Sequence, residues 1–282
     1  MSKLGTFLRL ARVSNLPTVW SNVLAATALT GAVFDDYVVL VMLAASLLYT
    51  AGMVLNDAFD QKIDAVERPT RPIPSQKVSL RSVWIVGIAM LICGVGVFSV
   101  FGLETTAAAL ALAAAIVVYD AWHKGNPIAP FIMGLCRALV YIATAVALSA
   151  LLTGPLLLAA LALLAYVAGL TFAAKEESFD RVRSWWPLAL LALPLLNGLQ
   201  YASSEAAVLP FIALTAGAIA LALHWLRRRA PGDVGRAVSL LIAAIALCDA
   251  IAAASAGRID MALACCALFV VTVMSQRTIP GT

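Results

Sequence analysis

The chain is built from apolar runs long enough to cross a bilayer, set one after another almost without interruption. A helix rises about 1.5 Å per residue and the hydrocarbon core is about 30 Å thick, so roughly 20 apolar residues span it. Such runs fall near 17–34, 38–56, 82–102, 105–120 and 129–151, and five more near 154–174, 186–202, 206–226, 237–256 and 260–276. Hydrophobic residues make up 63% of the 282 positions and charged residues 12%. Ordinary soluble domains carry roughly 45–50% and about 25%. A soluble fold of this length has nowhere to hide that much apolar surface. The expected fold class is therefore all-α, a polytopic transmembrane helical bundle.

The seventh run is the weakest, being short and carrying Pro187, Pro194, Asn197 and Gln200. The basic residues test whether it spans. With ten spans, every Lys and Arg falls on one side of the membrane except Arg258, opposite, and Arg137, inside a helix. The positive-inside rule makes that side cytoplasmic and places both termini there. If the seventh run did not span, the Arg227–Arg229 cluster would change sides, so the reading is ten spans in a single domain over 1–282. The net charge of +4 is too small to suggest a nucleic-acid partner. Cys93, Cys136, Cys248, Cys265 and Cys266 lie in apolar runs without CxxC spacing and read as buried, inert thiols. The first fifteen residues read as an amphipathic segment leading into the first span, not as a removable signal peptide.

After the second run comes LNDAFDQKIDAVERPTRPIPS, with Asn56, Asp57, Asp60 and Asp64. Steps of three and four residues share a helix face, so the acids form a stripe at the helix end. Hard oxygen donors without His or Cys favour Mg²⁺, which commonly bridges carboxylates to a substrate's phosphates. On spacing alone, a solvated helix end paired with Lys62, Arg68 and Arg71 stands equally well. Further on, LTFAAKEESFDRVRSWWP sets Glu176 and Asp180 at i, i+4, either as a second acidic pair or as partners of Lys175, Arg181 and Arg183. Arg137 and Asp249 are costly charges inside spans and call for partners. Asn15 reads either as a cap for the first helix beside Pro17 or as a pocket residue. His123 reads as an interfacial residue.

The segment NDAFDQKIDAVERPTRPIPS resembles the first aspartate-rich motif of UbiA-type prenyltransferases, NDxxDxxxD followed by an RP-x-P stretch. The resemblance implies Mg²⁺ held by Asn56, Asp57, Asp60 and Asp64. Glu176 and Asp180 stand where that family carries DxxxD, and would complete the metal site with one Asp replaced by Glu. YDAWHKGNPIAPFIMGLCRALVY is similar to the family's segment joining helices four and five, with Tyr119, Lys124, Asn126, Gly134 and Arg137 in its places. The likeness implies that Lys124 and Arg137, with Arg68 or Arg71, contact the substrate diphosphate, that Tyr119 and Asn126 also bind substrate, and that Asn15 lies in the pocket. AAKEES followed by WWPL resembles the EboC-type branch. The fold so implied is a bundle of nine to ten helices around a central cavity capped by cytoplasmic loops. Residues 1–256 would form the family's nine helices and 257–282 an additional C-terminal one. The implied function is Mg²⁺-dependent transfer of an isoprenyl group from an isoprenyl diphosphate to an acceptor within the membrane, through an allylic carbocation. A terpene cyclase of the same family, and a non-catalytic isoprenoid-binding protein or transporter, are the alternatives.

Overall fold

The computed structural model describes residues 3–175 and 185–279, and all regular secondary structure among them is helical. The first half comprises α1 (Lys3–Leu10), α2 (Pro17–Leu29), α3 (Asp36–Phe59), α4 (Gln61–Glu67), α5 (Leu80–Ser99) and α6 (Leu103–Trp122). It continues with α7 (Ala129–Ala147), α8 (Gly154–Lys175), α9 (Leu193–Leu199), α10 (Leu209–Arg228), α11 (Asp233–Ala243), α12 (Ile245–Ser255) and α13 (Ile259–Gln276). Among the described residues, 8 helical segments have the length and apolarity to cross a membrane, α11 and α12 counting together as one. The chain is an integral membrane protein.

Two of the expected runs are helical but short. α2 has 13 residues, about 20 Å at a helix's rise per residue, and ends near Gly31, whose φ of 71° breaks the right-handed path. Every α2 residue from Pro17 to Ala28 except Trp20 is buried. Enclosed by protein on all sides, it has no lipid thickness to match. The seventh run divides into a 3₁₀ stretch, Trp186–Ala192, and α9. Pro187 and Pro194 each withhold a backbone donor there, which accounts for the irregularity. The fifth run, α7, also stops at Ala147, short of the expected 151.

α2 and α12 form the axis. α2 packs on α3, α7, α12 and α13, while α3, α5, α6 and α7 make one side and α8, α10 and α11 the other. The ends of α13 fix its direction against α2. Gln276 Nε2 donates to Asn15 Oδ1 at 3.0 Å at one end, and Arg258 Nη1 to the Ala32 carbonyl at 2.8 Å at the other. The outermost helices turn apolar side chains outward, as Ile85, Ile88 and Ile92 do on α5. Cys93 lies exposed on α5, against the expectation of burial for every thiol, because α5 turns most of its surface to the surround.

Lipid tails are as apolar as leucine, so close van der Waals packing has to hold such helices together. α5 meets α3 through Gly87 and Gly94, seven residues apart, opposite Leu55 and Leu48, also seven apart. α7 meets α8 at Gly134, where a Cβ would lie 2.3 Å from the Leu164 carbonyl oxygen. Rigid backbone blocks that space. Gly134→Val is expected to destabilise the protein by ~1–3 kcal/mol or more, read as a lower midpoint of thermal unfolding in detergent. Gly217→Val, in α10 with nothing within 4 Å of its would-be Cβ, should leave the midpoint nearly unchanged.

Candidate functional site

The acidic stripe forms where α3 gives way to α4. Asp60 closes α3 and opens α4, its N–H bonding the Asn56 carbonyl at 2.9 Å while its own carbonyl accepts from Asp64 N at 2.9 Å. The nearly continuous helical path brings Asn56, Asp57, Asp60 and Asp64 together, and all four are buried. Burying that many carboxylates is costly unless cations meet them. Arg71 bridges two, with Nη1 at 2.7 Å from Asp64 Oδ2 and 3.3 Å from Asp57 Oδ1. Arg12 Nη2 lies 3.7 Å from Asp57 Oδ1. His123 Nε2 and Lys124 Nζ each lie 3.4 Å from Asp60 Oδ2. Burial alone would raise the Asp60 pKa, but the hydrogen bond from His123 and the charges of His123 and Lys124 outweigh it and hold it below the usual value.

The last turn of α6 adds a further carboxylate. Asp120 is buried, accepts from Asn56 Nδ2 at 3.1 Å through one oxygen, and among the described residues has no hydrogen-bond partner on the other. It lines a cavity of about 70 Å³ enclosed by α2, α3, α6 and α7. The remaining lining is mainly apolar, with Tyr49, Tyr119 and Arg137 as its other polar groups.

Arg137 projects into this cavity from α7. Its Nη1 donates to Asn22 Oδ1 at 2.8 Å and its Nη2 to Thr18 Oγ1 at 3.0 Å, with the guanidinium carbon 5.5 Å from the centre of the Tyr49 ring. Asn22 Nδ2 in turn donates to Asp249 Oδ2 at 2.7 Å. The two intramembrane charges thus face each other through one amide. Asp249 also accepts from Ser21 Oγ at 2.5 Å and Tyr141 OH at 2.7 Å.

Several expected site residues stand elsewhere. Arg68 is exposed at the end of α4 while Arg71 turns inward. Asn126 Oδ1 accepts from Ile128 N at 2.9 Å and shapes the start of α7. Asn15 does not cap α2: Leu16 holds that position without a side-chain bond. Tyr119 stacks on His123 with ring centres 5.1 Å apart. Glu176 and Asp180 lie outside the described residues. Arg12, His123 and Asp120 are additional members of the cluster. Arg12 reaches it through a left-handed backbone, φ 43° and ψ 48°, an arrangement that costs roughly 1–2 kcal/mol for a non-glycine residue. Asp120 carried one legible signal, an acid at the very end of an apolar run.

Among the described residues, no three or more His, Cys, Asp or Glu side chains are arranged to hold a metal ion unaided. The donor set nonetheless suits Mg²⁺, which takes one or two carboxylates and completes its shell with water and phosphate oxygens. The buried acids and the unpartnered oxygen of Asp120 supply hard donors of that kind.

The sequence model of the UbiA prenyltransferase family matches residues 14–255. A digeranylgeranylglyceryl phosphate synthase of Methanothrix thermoacetophila is 34% identical over 126 residues, 44% of this chain and 47% of that protein. The synthase of the same name from Methanopyrus kandleri is 34% identical over 122 residues, 43% and 45%. The chain thus spans about half the length of the curated relatives it matches. Among solved structures, a UbiA homologue from Aeropyrum pernix K1 superposes with a TM-score of 0.65 at 23% identity, covering 83% of this chain and 96% of that one. A UbiA homologue from Archaeoglobus fulgidus bound to DMAPP and Mg²⁺ gives 0.58 at 15% identity, covering 85% and 97%. Likeness at these identities is one of fold.

The two arginines of the RP-x-P stretch should behave differently. Arg71→Gln removes the bridge between two buried carboxylates and is expected to cost about 1.5–3 kcal/mol, the range for hydrogen bonds to charged groups. Arg68→Gln should stay within about 0.5 kcal/mol, as surface changes usually do. Thermal unfolding at low ionic strength without divalent cations measures both.

Proposed function

The chain belongs to the UbiA prenyltransferase family, and on that premise we propose that it transfers an isoprenyl group from an isoprenyl diphosphate to an acceptor inside the membrane, with Mg²⁺ as cofactor. The observation that carries this reading is the convergence of Asn56, Asp57, Asp60 and Asp64 with Arg12, Arg71, His123 and Lys124 beside a largely apolar cavity. A diphosphate needs both kinds of charge, and an isoprenoid chain needs the apolar lining.

In this reading Asn56, Asp57, Asp60 and Asp64 would hold Mg²⁺, and Glu176 and Asp180 would join them. When bound, Mg²⁺ neutralises phosphate charge and makes diphosphate a competent leaving group. Arg71 and Lys124, which already stand among the carboxylates, share the developing negative charge by electrostatic stabilisation. Arg137 would orient the substrate from the cavity wall, which Tyr119 also lines. The cavity's apolar residues exclude water from the allylic cation, so that the acceptor and not solvent captures it. Asn15 and Asn126 would act on the substrate only indirectly, through the placement of α13 and of the start of α7. Arg68 would reach substrate only by turning in from its exposed position.

The relatives named digeranylgeranylglyceryl phosphate synthase favour a glyceryl phosphate acceptor carrying an isoprenoid chain. Both termini and the acidic loops would face the cytoplasm, on the strength of the basic residues gathered there. Residues 14–255 would be the catalytic unit and α13 an addition that closes against α2.

Asp60→Asn is expected to reduce Mg²⁺-dependent diphosphate release by about 10²-fold or more, as losing a transition-state electrostatic group does, with the unfolding midpoint little changed. Retained turnover would remove Asp60 from the metal site. Lipid mass spectrometry after incubation with geranylgeranyl diphosphate, Mg²⁺ and a geranylgeranylated glyceryl phosphate should reveal a doubly prenylated product. A cyclised hydrocarbon formed without acceptor would point to a cyclase instead. A single cysteine introduced at Lys62 should react with a membrane-impermeant maleimide only in inverted vesicles.

A further inference from the structure

We propose that Asp249 is a positioning residue for Arg137, acting through Asn22 to fix the guanidinium at the cavity wall; this rests on the reading of Arg137 as a substrate contact. Asp249, Asn22 and Ser21 are completely buried, and Tyr141 and Arg137 nearly so. Asn22 suits the gap between Arg137 and Asp249 because its amide carries an acceptor at one end and donors at the other. Guanidinium only donates and carboxylate only accepts, so each end of the amide has one possible partner. The chain Arg137 to Asn22 to Asp249 therefore has a single polarity, and each bond strengthens the next in a medium of low dielectric.

The remaining contacts leave Asp249 little freedom. Ser21 and Tyr141 hold its two oxygens from α2 and α7. Thr18 Oγ1, which accepts from Arg137 Nη2, itself donates to the Asn15 carbonyl at 2.7 Å. The guanidinium is thus anchored along one edge by α2 and supported by the Tyr49 ring. A charge held in this way reorganises little when an anion arrives. Asp249 does not line the cavity, so its effect on a substrate must pass through Asn22 and Arg137.

The full chain purified in detergent can be titrated calorimetrically with geranylgeranyl thiolodiphosphate, a non-reacting probe, in the presence of Mg²⁺. Asp249→Asn leaves an amide facing the Asn22 amide and should weaken binding about tenfold, within the range of coupled neighbours. Arg137→Gln should weaken it at least as much, and the double variant no further than Arg137→Gln alone. The exchange Asn22→Asp with Asp249→Asn restores an acid, an amide and a cation in one line. It should recover binding to within about threefold of the native protein. Additive losses from Asp249→Asn and Arg137→Gln, or unchanged affinity in Asp249→Asn, would overturn the inference while leaving the functional reading in place. If Asp249→Asn fails to fold, the exchanged variant decides: weak binding from a folded protein counts against the inference. A native protein that binds no probe would overturn the functional reading and, with it, this inference.

Discussion

The constraint on which the structure depends is that ionised side chains inside an apolar bundle must be met by partners of opposite demand. Three buried aspartates sit where α3 passes into α4, and four basic side chains from other segments converge on them. Meeting that demand shapes the surrounding backbone. Arg12 reaches Asp57 through a left-handed residue at the end of α1. The stretch after α4 folds back so that Arg71 lies between Asp57 and Asp64, its carbonyl accepting from Ser75 Oγ at 2.7 Å. The turn after α6 directs His123 and Lys124 to Asp60. Local geometry here follows from charge more than from helix propensity.

Deeper in the bundle the same constraint sets the role of α2. Thr18, Ser21 and Asn22 stand at i, i+3 and i+4 and form a polar stripe turned inward, toward α7 and α12. Its other faces carry Val19 and Val23 to the core shared with α3, α6 and α7, and Leu24 and Ala28 to the core shared with α12 and α13. A helix with so little amphipathic contrast would be hard to orient by hydrophobicity. Hydrogen bonds to Arg137 and Asp249 give it a definite rotation. Small residues allow the close approach, for buried α12 is largely alanine from Ala250 to Ala254.

Hydropathy located all ten helical runs, because the length and apolarity of a spanning segment are properties of contiguous residues. It misjudged where α2 ends, since a helix enclosed by protein does not report the thickness of the bilayer. Spacing located the acidic stripe for the same reason, as Asn56 through Asp64 lie within three turns of one another. The cations that meet it were only partly legible. Arg71 lies in the adjoining segment, whereas Arg12 and His123 come from distant parts of the chain and no spacing rule links them to Asp60 or Asp57. Arg137 and Asp249 were recognisable as charges in need of partners. The bridge between them was not, because an uncharged Asn22 carries no cost that a sequence reveals.

The partners found on the acids also constrain how a ligand pair could enter. A polyanion arriving alone would draw Arg71 and Lys124 toward itself and leave Asp57, Asp60 and Asp64 buried without compensation, a costly exchange. A divalent cation arriving alone would displace the same basic groups from the carboxylates and leave them facing one another. Arriving together, the anion takes the basic side chains and the cation takes the acids, so every charge keeps a partner. Each ligand would thereby improve the binding of the other by the same factor. On the proposed function, the salt bridges Arg71–Asp64 and Lys124–Asp60 would be the contacts through which the two affinities are coupled. If the proposed function holds, a site of this design would favour the metal–diphosphate complex over either component.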